Sequence, residues 1–167
     1  FDKASLQSLR QATPAVTSGG FTVMSVYNPL DNTTAGTILY IGASTSSYHA
    51  LWARGDVSDS YQWATSDGTT GSAFGSSFEL NQTDVIVAIE SGGGIGRSIQ
   101  TNNQPASGDA LTITPASVNQ MSVGTYGQVG SELFGLDGRL GELLIWDRVL
   151  SQEDIIVARS YLQNKWQ

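Results

Sequence analysis

Short runs of alternating apolar and polar residues follow one another along most of this chain. Residues 21–29, FTVMSVYNP, carry apolar side chains on both alternating faces, which predicts a central strand that ends at Pro29. Gly, Asn, Asp and Ser separate this run from the next ones, as they do in turns. Further strands are predicted where the alternation recurs: 37–43, 47–54, 61–65, 85–89, 96–102, 110–115 and 119–127.

The two ends of the chain show helical spacing. Leu6 and Leu9 lie three residues apart, which predicts a short N-terminal helix ended by Pro14. Near the other end, 140–146 predicts a last strand with Leu143 and Ile145 on one face. On its other face the alternation places Leu140, Leu144 and Trp146.

Ser151 marks the start of a second helix. Asp154 follows it by three residues, which is the spacing of a capping box, and apolar residues then recur at helical intervals. The sequence therefore predicts an all-β sandwich of about nine or ten strands, closed by a C-terminal helix over about 151–165. No repeat or linker divides it, so 1–167 is interpreted as one domain, and its start at Phe1 indicates a module of a larger protein.

Composition excludes several classes of protein. The net charge is −7, from 8 basic and 15 acidic residues, and the basic residues are scattered, so nucleic-acid binding is not expected. No apolar run has the length of a membrane span, so no membrane insertion is expected. Cysteine is absent, which excludes disulfides and cysteine-based metal or nucleophile chemistry.

The C-terminal segment 134–166, FGLDGRLGELLIWDRVLSQEDIIVARSYLQNKW, resembles the closing signature of laminin-G-like, concanavalin A-like lectin-glucanase jelly-roll domains. Segments 18–29 and 84–94 are similar to the family's opening and middle strands. The resemblance implies a two-sheet antiparallel jelly roll, and such domains serve as modules of bacterial surface proteins and phage tail or fibre proteins. The signature positions are filled by Asp137, Gly138, Leu140, Glu142, Ile145, Trp146, Arg148, Leu150, Ser151 and Asp154.

Catalytic patterns are not found. Glycosidases need two carboxylates across the scissile bond, and the related hydrolases carry alternating acids on one strand. Here Glu79 and Asp84 lie five residues apart, as do Glu142 and Asp147, and neither pair fits. The single histidine, His49, has no nucleophile elbow to serve. We therefore expect no enzyme activity.

Aromatic residues beside polar loops predict a glycan site, because an aromatic face packs against a sugar while amides bond its hydroxyls. The alternative for the aromatic residues is packing in the core. The predicted ligand-binding residues are Trp52, Tyr61, Trp63, Asn102, Asn103, Tyr126 and Gln128.

Acidic loops suit a Ca²⁺ ion, whose ligands are oxygen atoms. The first candidates are Asp56, Asp59 and Asp67, and the alternative is that these side chains only stabilise turns. The sequence establishes no cofactor. Ca²⁺ is the candidate cofactor that these loops suggest.

These observations favour a non-catalytic carbohydrate-binding or adhesion module of a surface or phage tail or fibre protein. It would act outside the cell, on a cell surface or on a virion, with a cell-surface glycan or polysaccharide as partner. Other virion or surface-protein subunits, or a homo-oligomer, are further expected partners. The alternative function is a structural or assembly module of a phage tail, fibre or capsid that binds no glycan.

Overall fold

The computed structural model describes residues 9–11, 20–44, 46–56, 59–67, 71–91, 96–110, 118–126 and 134–167, with the backbone alone for 9–11 and 71–74. It confirms the all-β, two-sheet antiparallel sandwich with a C-terminal helix. The elements are β1 (Leu9–Gln11), β2 (Phe21–Pro29), β3 (Ala35–Ser44), β4 (Ser47–Arg54), β5 (Ser60–Asp67), β6 (Gly71–Ser77), β7 (Asp84–Glu90), β8 (Arg97–Thr101), β9 (Ser107–Asp109), β10 (Gln120–Val123), β11 (Gly138–Trp146) and α1 (Gln152–Trp166).

The two sheets differ in what covers their outer faces. One sheet has the strand order β1-β10-β3-β4-β5-β6 and the other β11-β2-β7-β8-β9. Their inner faces share one hydrophobic core, while α1 packs on the outer face of the five-stranded sheet. Among the described residues, two surfaces carry predicted ligand-binding residues outside the core. One is the outer face of the six-stranded sheet, and the other is the margin where the C-terminal end of α1 meets the loops.

The predicted central strand is β2, and its bounds match the prediction. It lies between β11 and β7, with Val23 and Tyr27 in the core between the sheets and Met24 and Val26 under α1. Thr22 joins it to the turn before the helix, because its hydroxyl donates to the Arg148 carbonyl at 3.1 Å and accepts from the Leu150 N–H at 3.0 Å. Burial on both sides explains why this strand is apolar on both faces.

β11 contains an irregularity that the alternation did not predict. The pairing of β11 with β2 shifts between Leu140 and Glu142, so Gly141 is an extra residue in the ladder. Leu140 therefore packs with Leu143 and Ile145 against the core between the sheets. The prediction that Leu140 shares a face with Leu144 and Trp146 is wrong, because one inserted residue reverses the alternation.

The predicted helix is confirmed as α1, including its cap. Ser151 is extended, and its hydroxyl accepts a hydrogen bond from the Asp154 N–H at 3.1 Å. Ile155 and Leu162 are buried against β2 and β7. Among the described residues, no helix has the length and apolar character needed to cross a membrane.

Replacing the cap should weaken the helix. We expect Ser151→Ala to lower the free energy of unfolding by about 1 kcal/mol, because the Asp154 N–H loses its acceptor. Ser160→Ala, at an exposed position inside the same helix, should be neutral or slightly stabilising, since alanine is the better helix former. Urea unfolding of both variants is the measurement, and equal losses would contradict the assigned cap.

The N-terminal helix is a wrong prediction where the structure describes that segment. Leu9–Gln11 forms β1 and pairs with β10 in the six-stranded sheet, so the Leu6–Leu9 spacing does not mark a helix through Leu9. Backbone pairing with a neighbouring strand outweighs a helical spacing of only two leucines. Residues 1–8 and 12–19, where the rest of that prediction falls, lie outside the described residues.

Two further segments differ from the prediction. The sequence predicts no strand where β6 lies, because Gly, Ser and Ala dominate this segment and no alternation shows. The segment pairs with β5 at the edge of its sheet. The strand predicted at 110–115 does not include Ala110, which follows β9, and 111–115 lies outside the described residues.

Candidate functional site

Two of the predicted ligand-binding aromatics, Tyr61 and Trp63, are in the core. Both side chains are 0% exposed. The Trp63 ring stacks on the His49 ring at 6.0 Å and meets the Phe21 ring edge-on at 5.7 Å. The prediction that they contact a ligand is wrong, because the alternation in β5 turns residues 61, 63 and 65 inward. The polar turns that flank β5 in the sequence had favoured the prediction that both rings are exposed.

The other two aromatics, Trp52 and Tyr126, lie together on the outer face of the six-stranded sheet. Their ring centroids are 5.6 Å apart, and the Phe134 ring lies 6.3 Å from Trp52 and 5.8 Å from Tyr126. Phe134 is 47% exposed and has a left-handed backbone, with φ of 51°. We call this surface the aromatic face, and it comprises Tyr40, Tyr48, Trp52, Tyr126 and Phe134.

Polar groups on the aromatic face are few or already bound. The Arg54 guanidinium lies 5.4 Å from the Trp52 ring and donates to both Asp56 carboxylate oxygens, at 2.7 and 2.9 Å. These hydrogen bonds lower the pKa of Asp56. Burial and the Tyr48 contact raise the pKa of the Tyr126 phenol, so it stays neutral. The Trp52 indole N–H is buried and has no acceptor among the described residues. The face offers apolar area and little hydrogen bonding.

Asn102 and Asn103 lie elsewhere, beside the C-terminal end of α1. They border a polar depression of about 520 Å³, which we call the amide groove. A volume of this size falls within the range of ~300–1,000 Å³ typical of small-ligand sites. Three chain segments form it: the loop before β7, the turn after β8 and the last turn of α1. Its lining residues are Asn81, Gln82, Thr83, Asn102, Asn103, Gln163, Trp166 and Gln167.

Asn102 forms the wall of the groove and is a structural residue. Its carbonyl oxygen Oδ1 accepts from the Val85 N–H at 2.8 Å and from Gln167 Nε2 at 3.0 Å, while its Nδ2 donates to Asp84 at 2.7 Å. Asp84 also accepts from the buried Tyr61 hydroxyl at 2.8 Å. Burial raises the pKa of Asp84, and these two hydrogen bonds offset part of that rise. The network fixes the turn that carries Asn103.

Trp166 provides the aromatic surface of the groove. It is 40% exposed, and its indole N–H donates to Glu142 at 3.0 Å. The ring packs close to Gly141, where a Cβ atom would lie 3.1 Å from the indole carbons, so the extra glycine of β11 makes room for it. Lys165 donates to the same Glu142 carboxylate at 2.9 Å. The Lys165 and Trp166 hydrogen bonds lower the pKa of Glu142, so this arrangement stays charged at neutral pH.

Most amides of the groove are available to a ligand. The side chains of Asn81, Gln82, Asn103 and Gln163 make no hydrogen bond with the described residues. Asn81 has a left-handed backbone, with φ of 61°, as Asn102 does at 51°. A left-handed backbone is uncommon in residues other than glycine, and asparagine tolerates it better than most residues do. Both turns therefore favour asparagine at these positions. The groove thus combines unoccupied donors and acceptors with an exposed indole.

Only part of the groove was predictable from the sequence. Asn102 and Asn103 line the groove, but Trp52 and Tyr126, which were predicted to share their site, lie on the outer face of the other sheet. The sequence prediction missed Asn81, Gln82 and the helix residues, although Gln163, Trp166 and Gln167 share one helix face by their spacing. Gln128 lies outside the described residues.

The predicted calcium ligands do not form one site. Asp59 precedes β5 and Asp67 ends it, and eight residues of extended chain place them about 26 Å apart. One Ca²⁺ ion binds oxygens at about 2.3–2.6 Å, so Asp67 and Asp59 cannot share it. Asp56 is bound to Arg54. Within the described ranges no three His, Cys, Asp or Glu side chains converge as metal ligands. Calcium binding by Asp56 and Asp59 stays a prediction.

His49 lies in a buried polar contact. Its Nδ1 is 3.1 Å from the Thr65 hydroxyl and 3.5 Å from a Glu90 carboxylate oxygen, and all three side chains are buried. A hydroxyl, an imidazole and a carboxylate are thus adjacent, as in nucleophilic catalysis. Each of the three side chains is at most 7% exposed, so we interpret the contact as core packing between the two sheets.

Comparison with known proteins establishes the fold. No family model matches this sequence, and no curated protein is significantly similar to it. Among solved structures, a NanB sialidase mutant from Streptococcus pneumoniae superposes with a TM-score of 0.74 at 11% identity, covering 90% of this chain and 26% of the sialidase. The CBM40 module of a Ruminococcus gnavus IT-sialidase, bound to α2,3-sialyllactose, gives 0.71 at 9% identity over 90% of this chain and 97% of its own.

A third similar structure widens the group beyond sialidases. The SAP-like pentraxin of Limulus polyphemus superposes with a TM-score of 0.68 at 15% identity, over 89% of this chain and 73% of the pentraxin. This chain therefore spans about a quarter of the sialidase and nearly all of the carbohydrate-binding module. At these identities the likeness shows the fold alone, a two-sheet jelly-roll sandwich.

Proposed function

We propose that this chain is a non-catalytic module that binds a glycan in the amide groove. The observation that carries the proposal is the set of four unoccupied side-chain amides around an exposed indole, in a depression of about 520 Å³. Each amide offers two donors and an acceptor, which suits a ligand rich in hydroxyl groups. The indole supplies the apolar surface on which the carbon–hydrogen face of a pyranose packs.

The geometry of the acidic residues supports a non-catalytic role. Asp84, beside the groove, is buried and bonded to Tyr61 and Asn102, and Glu142 is bound to Lys165 and Trp166. A glycosidase needs an acid and a base or nucleophile on opposite sides of the scissile bond. Both carboxylates instead hold protein groups in place.

A shallow groove implies weak binding to a single site. A millimolar dissociation constant corresponds to about −4 kcal/mol, and several copies on one particle raise the avidity. We therefore place the module in a surface protein or a virion fibre, outside the cell, where many copies meet a cell-surface glycan or polysaccharide. The solved carbohydrate-binding module of the same fold is likewise part of a larger sialidase.

The proposal is tested by removing groove side chains one at a time. We expect Trp166→Ala and Asn103→Ala to weaken glycan binding at least about tenfold, or ~1.4 kcal/mol, because each removes a side chain that lines the groove. Binding is measured on a glycan array with an oligomerised protein, with Ca²⁺ and with EDTA, and then by titration of the best ligand.

The matched control is Phe134→Ala on the aromatic face. Phe134 is an aromatic residue of similar exposure to Trp166, so its truncation tests general surface effects. It should leave affinity unchanged. Loss of binding in Phe134→Ala with Trp166→Ala unaffected would move the site to the aromatic face, and silence on every glycan would refute the proposed function.

A second candidate function is assembly with another protein subunit. It is favoured by apolar side chains on the solvent side of α1, where Ile156, Val157 and Tyr161 are exposed together with Val149 in the preceding turn. Exposed apolar patches often mark protein interfaces. Light scattering of the purified protein distinguishes the two: a concentration-dependent oligomer that Val157→Asp disrupts would favour assembly.

A further inference from the structure

The lining of the amide groove carries no formal charge. Its polar side chains are the six primary amides of Asn81, Gln82, Asn102, Asn103, Gln163 and Gln167, with Thr83 and the indole of Trp166 completing it. Amides bond equally well to hydroxyls acting as donors or as acceptors. Neutral amides can donate to a carboxylate, but they supply no counter-charge to offset the loss of its hydration.

The cations nearest to the groove are already bound to protein. Arg159 Nη1 donates to the backbone carbonyl oxygen of Asn102 at 3.1 Å, on the wall of the groove. Lys165 Nζ donates to Glu142 at 2.9 Å and to the Tyr161 hydroxyl at 3.0 Å. Lys165 is thus paired with a carboxylate, while the Arg159 guanidinium keeps donors beyond the one that bonds Asn102. Neither cation lines the groove.

The chain is acidic overall, and two carboxylates lie beside the groove. Asp84 lies behind Asn102, Glu142 holds the Trp166 indole, and the whole chain has a net charge of −7. A field of this sign lowers the local concentration of anions. The net negative charge of the chain and the absence of a cation from the described lining of the groove act in the same direction.

We infer that the amide groove takes an uncharged oligosaccharide and disfavours glycans ending in sialic acid. The inference rests on the proposed function and specifies its ligand class. It separates this chain from the carbohydrate-binding module of the same fold that is described as bound to sialyllactose. The shared sandwich therefore carries a site of different charge preference.

The experiment compares matched pairs of glycans. The intact protein is oligomerised and applied to an array on which each neutral glycan, such as lactose, is printed beside its sialylated form. We expect the neutral member of each bound pair to give at least tenfold tighter binding, with the gap narrowing as salt screens the repulsion. Equal or tighter binding of the sialylated member overturns the inference and leaves the proposed function standing. Silence on all glycans overturns both.

Charge variants of the groove provide an independent test. Gln82 is exposed at the rim, so Gln82→Lys places a free cation there without disturbing the core. We expect Gln82→Lys to raise sialyllactose binding at least fivefold relative to lactose. Gln82→Glu, which changes charge at nearly constant shape, should lower sialyllactose binding further. An unchanged preference in both variants would count against the groove as the site of charge discrimination.

Discussion

Leu162→Ala is expected to lower the free energy of unfolding by about 3 kcal/mol. Leu162 is fully buried between α1 and the five-stranded sheet, where it packs with Met24, Val26 and Val87. Truncation removes its apolar contacts and leaves a cavity that a rigid sheet cannot fill, and such substitutions cost about 2–5 kcal/mol. Chemical denaturation followed by circular dichroism measures the change.

Val157→Ala is the matched control on the same helix. Its side chain is 70% exposed, so the truncation removes little buried surface, and alanine has the higher helix propensity. We expect a change within about 0.5 kcal/mol, measured at a concentration where the protein is monomeric. Similar losses in both variants would mean that α1 does not pack on the sheet as described.

Asp109→Ala should also destabilise the fold by about 3 kcal/mol. Asp109 accepts two hydrogen bonds from Arg97, at 3.1 Å from Nε and 2.6 Å from Nη2, and the Arg97 side chain is 0% exposed. Removing the carboxylate deprives a buried guanidinium of two hydrogen bonds and of this negative charge, and breaking a fully buried pair costs about 3–5 kcal/mol. The partial exposure of Asp109 places the expected value at the lower end.

The Arg54–Asp56 pair provides the control for this effect. It has the same two-bond geometry, at 2.7 and 2.9 Å, but Arg54 remains accessible to water. Asp56→Ala should therefore cost no more than about 1 kcal/mol. If urea titrations gave the two substitutions equal costs, burial of Arg97 would not be the source of the effect.

The fold was largely predictable because strand alternation and turn residues are local signals. β2 and β4 begin and end where the alternation places them, and Ser151 caps α1 as its spacing predicts. β6 was not predictable, because a Gly- and Ser-rich edge strand needs few apolar residues. The face of Leu140 depends on a bulge, which shifts the alternation without leaving a local sign.

The site was harder to predict because it is assembled from distant segments. The amide groove joins the loop at 81–83, the turn at 102–103 and helix residues 163–167. Each segment on its own has the composition of an ordinary loop or helix end. Only the pairing of β7 with β8 and the docking of α1 bring the amides together. The exposure of the aromatic residues was not predictable for a similar reason. Strand alternation assigns these residues to two faces, but it does not show which face is the inner one.

The position of β2 determines when this protein can finish folding during synthesis. One neighbour of β2 is β11, and the Thr22 hydroxyl bonds Arg148, which lies 126 residues later. A ribosome adding ~5–20 residues per second needs on the order of ten seconds to supply that partner. Throughout this interval a strand that is buried on both faces in the finished fold lacks its edge partner and the helix that covers it. Chaperone demand during translation should consequently be concentrated on this one segment.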